Sequence, residues 1–182
     1  MESVKFFWNF EKMDSWRDDQ AGDDADDDEL RDHNFGGKDA ILFVIDASPA
    51  MHVRAVKSND NDDVSSPFEL SLRCLHTTLR NKIFGSPTDV VGVLFFGTRE
   101  KIGVRDFDNL SVFLPFNIAE GRSILKVEEH LLEYPDKFDK EFGSVDKFHL
   151  HEALWHSQTL FNDVVGKTAT KKILLVCFSQ SQ

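Results

Sequence analysis

The amino-acid sequence predicts an α/β fold, a mostly parallel central sheet with helices on both faces. Residues 41–45 (Ile-Leu-Phe-Val-Ile), 90–96 and 173–178 are continuous apolar runs without polar alternation, the pattern of strands covered on both sides. Between them, apolar residues recur at intervals of three and four, as in helices lying on a sheet. The first run ends abruptly in Asp46-Ala47-Ser48-Pro49, so polar side chains gather at the carboxyl end of a buried strand. Open α/β sheets place their ligand crevices there.

Length and composition set the outer bounds. The chain has 182 residues, enough for one well-filled core. A net charge of −11 argues against a nucleic-acid surface spread over the whole molecule, because phosphate binding is driven by clustered Lys and Arg. Much of that charge is local. Residues 14–32 hold a dense block of Asp that repels itself and buries nothing, which predicts a disordered, solubilising arm. Cys74 and Cys177 are too far apart in sequence for a zinc motif or a disulfide framework, and read as small buried hydrophobes in a reducing compartment. The start lacks the apolar core of a secretory signal, and no run approaches the roughly 20 apolar residues of a membrane span, so a soluble protein without membrane contact is expected.

Along the chain, residues 1–37 comprise an aromatic patch, the acidic block, and a flexible entry at Gly36-Gly37. Phe6, Phe7, Trp8, Phe10, Met13 and Trp16 suit either a docking motif or a return over the domain. After the first strand, 51–66 reads as a polar surface loop. Ser66-Pro67 with Glu69 then forms a strong helix start, and Phe68, Leu72, Leu75, Leu79 and Ile83 give that helix an apolar face. Its Arg73, Arg80 and Lys82 read as a solvated face. Gly85-Ser86-Pro87-Thr88 breaks the helix, and 90–96 is the second buried strand, ending in Gly97-Thr98. Residues 111–116 form a shorter strand that Pro115 pushes to a sheet edge. A helix over 119–133 turns Ile124, Val127, Leu131 and Leu132 inward and stops at Tyr134-Pro135. A loop through Gly143 leads to a helix over 148–161, with Leu150, Ala153, Leu154, Leu160 and Phe161 inward, and then to the third buried strand.

The chemistry is sparse. Asp46 and Ser48 could both face one hard divalent cation, or could satisfy backbone groups at a strand end. His149, His151 and His156 fail the zinc ligand count, the first two falling on different faces at a helix start. There is no GxSxG elbow, no HExxH, no GxxxxGK[ST] loop and no GxGxxG fingerprint, and no catalytic constellation can be assembled. No cofactor is expected.

The strand ending in Asp46-Ala47-Ser48, the Pro67-Phe68 helix start, the strand ending in Phe96-Gly97-Thr98, and Leu150, Glu152, Leu154-Trp155 with Leu160-Phe161 occur in an order that resembles a Rossmann-like von Willebrand factor A-type domain. The version it is similar to is the amino-terminal domain of the smaller subunit of the Ku heterodimer, over roughly residues 37–176. The resemblance implies a partial domain at 38–182, incomplete at its carboxyl terminus, behind an arm at 1–37. It further implies a nuclear DNA-end-binding subunit that pairs with a Ku large subunit and with DNA-repair proteins. Double-strand break repair by non-homologous end joining and telomere maintenance are the implied processes. Duplex ends are held through regions absent from this chain, and the domain serves as a peripheral protein-interaction platform. Three departures stand out. The metal-binding DxSxS pattern has Ala50 at its third position, leaving Asp46 and Ser48 as a degenerate site. Cys177-Phe178-Ser179-Gln180-Ser181-Gln182 replaces the acidic run that follows the fourth strand in the family. The lysine to which the family's abasic-end lyase activity is attributed matches Asn34, with Lys38 the nearest amine, which argues against an enzyme. The alternative reading is a free-standing A-type protein-binding module that uses a divalent metal at Asp46 and Ser48.

Overall fold

Strand pairing follows from where the apolar runs fall. The computed structural model describes residues 3–9, 38–53, 56–57, 64–164 and 168–179. In chain order these form β1 (Ser3–Asn9), β2 (Lys38–Asp46), α1 (Pro49–His52), β3 (Val56–Lys57), β4 (Val64–Ser65) and α2 (Pro67–Gly85). β5 (Val90–Phe96), β6 (Leu110–Ile118), α3 (Gly121–Leu132), α4 (Asp136–Glu141), α5 (Leu150–Asn162) and β7 (Thr168–Ser179) follow. The main sheet has the order β1-β7-β2-β5-β6. β2 is its middle strand, parallel to β5 on one side and to β7 on the other, while β6 and β1 close the edges antiparallel. The predicted α/β class and parallel centre are both present, and Pro115 lies on the edge strand β6, where no second neighbour needs its missing N–H.

Because side chains alternate along a strand, β2 supplies two cores at once. Ile41, Phe43 and Ile45 point to one face, where they meet Met51 of α1, Phe68, Leu72, Leu75 and Leu79 of α2, Val127 of α3 and Phe138 of α4. Ala40, Leu42 and Val44 point to the other, against Ala153 and Phe161 of α5. The helices therefore cover both faces. α2 starts where its sequence predicts: Ser66 is the N-cap, its Oγ accepting the Glu69 N–H at 3.1 Å, and Pro67 follows. Its polar side is solvated, with Arg73 paired to Glu69 and Lys82 to Asp89.

Several expectations are corrected. Ser3–Asn9, inside the segment read as an unstructured arm, forms β1 along β7, with Ser3 opposite Ser179. Residues 10–37, with the acidic block, lie outside the described residues. The loop over 51–66 contains the small β3–β4 ladder. Leu132 is 85% exposed, because the inward stripe of α3 runs through Val127 and His130. α5 is rotated from its expected setting: Ala153, His156, Ser157 and Phe161 face the sheet, and Leu150 and Leu154 face outward. The segment read as a loop through Gly143 holds α4, whose Phe138 is buried, as is Phe142 just after it. Cys74 is exposed on the outer side of α2, and Cys177 is half-buried. β7 is less covered than its apolar run suggests. α2 packs on β2 and α5 on β2 and β5, while β7 meets the short α1, so Leu174 stays partly in solvent.

Candidate functional site

The carboxyl ends of β2 and β5 lie side by side, with Asp46 opposite Phe96. The Ala47 N–H donates to the Phe96 carbonyl at 2.7 Å, extending the ladder one step past the strand. Asp46 and Ser48 are both buried, and the Asp46 Oδ1 accepts the Ser48 N–H at 2.8 Å. This is an Asx-type turn, in which a carboxylate stands in for a backbone acceptor. Gly97 closes against the turn at φ 78°, where an added Cβ would lie 3.1 Å from the Ser48 nitrogen. The neighbouring hydroxyls are turned toward backbone: Ser111 Oγ donates to the Glu100 carbonyl at 2.6 Å, and Thr98 Oγ1 approaches the same carbonyl at 2.9 Å.

Part of the oxygen set near Asp46 is already committed. One oxygen of Asp46 is taken by a backbone N–H, Ala50 offers no hydroxyl, and the nearby hydroxyls serve backbone. Among the described residues no group of three or more His, Cys, Asp or Glu converges as a metal site. The three histidines separate. His149, the N-cap residue of α5, leans its ring to 5.4 Å from that of His151, so these two are neighbours and not on different faces as the helical period suggests. His156 is buried on the inner side, its Nε2 without a hydrogen-bond partner among the described residues. Burial pushes its pKa below the ordinary imidazole range, against the opposing pull of Asp106 and Asp163. Lys38 is the half-buried first residue of β2, and Asn34 lies outside the described residues.

Above the strand ends sits a cluster that periodicity does not reveal. His52, the last residue of α1, places Nδ1 2.8 Å from the Tyr134 Oη and Nε2 3.2 Å from the Ala47 carbonyl oxygen. The Tyr134 Oη lies 2.9 Å from the Ser66 Oγ. Phe68 and Phe138 flank the imidazole at 4.6 and 4.7 Å between ring centres. Burial lowers the His52 pKa, partly offset by the Ala47 carbonyl and Asp139. His130, also buried, bridges the Lys126 carbonyl and the Glu141 carboxylate and so ties α3 to α4. In the sequence, Tyr134 stands out only as a helix stop and Ser66 only as a cap. Their convergence with His52 needs contacts between residues 68 and 82 positions apart.

At the opposite end of the sheet, Asp39 accepts from Lys172 Nζ at 2.8 Å and from Thr170 Oγ1 at 2.6 Å, and its own N–H donates to Asp89 at 2.9 Å. Burial raises the Asp39 pKa, and the Lys172 and Thr170 hydrogen bonds together with the charges of Lys172 and Lys82 more than reverse this, so the net shift is downward. The network joins β2 to β7 and to the turn that leads into β5.

A family model describing the Ku70/Ku80 N-terminal alpha/beta domain matches residues 40–177. Among curated proteins, X-ray repair cross-complementing protein 6 of Mus musculus is 28% identical over 145 residues, covering 79% of this chain and 23% of that protein. ATP-dependent DNA helicase ku70 of Dictyostelium discoideum is 31% identical over 144 residues, covering 78% of this chain and 15% of that protein. ATP-dependent DNA helicase 2 subunit KU70 of Arabidopsis thaliana is 31% identical over 166 residues, covering 82% and 26%. The chain thus spans about a quarter or less of the length of these relatives.

Proposed function

The chain belongs to the family of Ku70/Ku80 N-terminal α/β domains, and from that premise we propose that it is the peripheral protein-interaction platform of a Ku-type subunit. The subunit acts in the nucleus, in double-strand break repair by non-homologous end joining and in telomere maintenance. It pairs with a Ku large subunit, meets other repair proteins through this domain, and engages duplex DNA ends through regions outside these residues. The observation that carries the reading is how the polar groups at the strand ends are used. Asp46 closes a turn, Thr98 and Ser111 serve the Glu100 carbonyl, and His52, Tyr134 and Ser66 bond one another. Large apolar side chains, meanwhile, stand in solvent on three helices: Phe84 on α2, Leu132 on α3 and Trp155 on α5. Side chains of this kind anchor protein interfaces when a partner covers them.

The test is co-expression of the full-length subunit carrying this domain with a Ku large subunit. A heterodimer that binds linear duplex in a salt-sensitive manner, and leaves closed circular duplex unbound, is the expected result. Failure to form the heterodimer would remove the assignment.

A further inference from the structure

Both ring nitrogens of His130 face oxygens that accept. Nδ1 lies 2.9 Å from the Lys126 carbonyl oxygen, and Nε2 lies 2.9 Å from the Glu141 Oε2. A neutral imidazole carries one ring hydrogen, so it can satisfy only one of the two and sets its other lone pair against an oxygen at hydrogen-bond distance. His130 is 2% exposed, which makes such an unmet contact costly. Both contacts hold together when the His130 and Glu141 side chains share two protons between them, and imidazole, the stronger base, carries both.

We infer that His130 is a buried imidazolium which, with the Glu141 carboxylate, forms a proton-dependent clamp seating α4 on α3 and, through α4, on the segment that leaves β5. α4 has six residues and no side-chain cap, and Phe138 is its one buried residue. The end of α4 is bound to that segment: the Glu100 N–H donates to the Phe142 carbonyl at 2.8 Å, and the Arg99 guanidinium to the Asp139 carbonyl at 2.8 Å. Loss of the extra proton breaks either the Glu141 contact or the Lys126 contact, and leaves α4 tied to the α3 end by the exposed carboxylates of Glu129 and Glu133 on Lys137. The other charges on the elements packed around the ring have partners of their own. Lys126 donates to the Phe113 carbonyl and lies over the Phe113 ring, Asp139 pairs with Arg99, and Glu128 pairs with His76 of α2. β6, whose Phe113 meets the imidazole at 4.8 Å between ring centres, contains no charged residue. This inference does not depend on the proposed role in DNA repair.

In the intact chain at pH 7.5, nitrogen-15 NMR of the histidine rings should show hydrogen on both His130 nitrogens. Glu141→Gln places an amide beside Nε2 that can donate to it, so in that variant one ring nitrogen should have lost its hydrogen at the same pH. Above the usual imidazole value of about 6.5 the unfolded chain has released the proton that the folded pair retains, so rising pH favours unfolding. The unfolding equilibrium constant of the parent, measured in urea, should therefore climb with pH above 7.5 more steeply than that of Glu141→Gln, by up to about tenfold per pH unit. A parent ring with one bare nitrogen at pH 7.5, the same ring state in Glu141→Gln as in the parent, or parallel pH profiles for the two proteins would each overturn the clamp. Should Glu141→Gln fail to fold, the ring state of the parent decides alone.

Discussion

Gly143 shows how one position constrains a side chain far away in sequence. Its φ of 60° lies in the left-handed region, and an added Cβ would fall 2.5 Å from the Arg99 Cζ. Arg99 is held above it by the Asp139 carbonyl at 2.8 Å and by Glu100. Gly143→Ala should therefore destabilise the chain by about 1–2 kcal/mol from backbone strain alone, with displacement of Arg99 adding to this. Urea denaturation measures it, and a loss under about 0.5 kcal/mol would show that the turn is not strained as described. Part of the abundance of phenylalanine, 17 against one tyrosine, is accounted for at this scale. Phe68, Phe95, Phe113, Phe138 and Phe142 pack edge to face or offset on one side of the sheet, with ring centres 4.6 to 5.9 Å apart. With no hydroxyl to satisfy, phenylalanine suits that interior better than tyrosine does.

Among the elements, those with an unambiguous period were legible in advance, and those whose inner face is partly polar were not. β2 and β5 read as buried strands because each apolar run is unbroken, and α2 carries cap, proline and apolar stripe together. α5 offered two apolar stripes. The outer one carries Leu150 and Leu154, while the inner one, with Ala153 and Phe161, also includes the polar His156 and Ser157 and so reads as less apolar. The Ser157 hydroxyl reaches the sheet side by donating back to the Ala153 carbonyl at 2.7 Å. α4 was hidden by the charges of Asp136, Lys137, Asp139, Lys140 and Glu141 around a single inward Phe138. The orientation of α5 is testable by substitution. Phe161→Ala should cost about 3–5 kcal/mol, while Leu154→Ser should stay within about 0.5 kcal/mol. Equal losses in thermal or urea unfolding would contradict the observed rotation. The polar cluster at the strand ends was only partly legible, since Asp46 and Ser48 are visible as a motif while Tyr134 reaches His52 only through the fold.

At the scale of the molecule, acid should weaken the fold in two stages. His52 and His156 both have folded pKa values pushed below the ordinary imidazole value by burial, so the unfolded chain binds more protons than the folded one in the window below about 6.5. Stability is then fully present above that pH and falls as pH drops toward the folded values. His156→Leu should flatten the slope between pH 7 and 5, and an unchanged slope would remove His156 from this account. Asp39, whose pKa is lowered, contributes stability above the ordinary carboxylate value of about 3.9 that is lost on further acidification. The central claim is that the domain offers a surface and not a reaction centre. The measurement that reaches it most directly uses full-length heterodimer carrying Phe84→Ser, Leu132→Ser and Trp155→Ser, compared with the parent for binding to linear duplex and for end joining in extract. The account predicts unchanged end binding with joining reduced. Joining at the parental level in the triple variant, or a loss of end binding that matches the loss of joining, would contradict it.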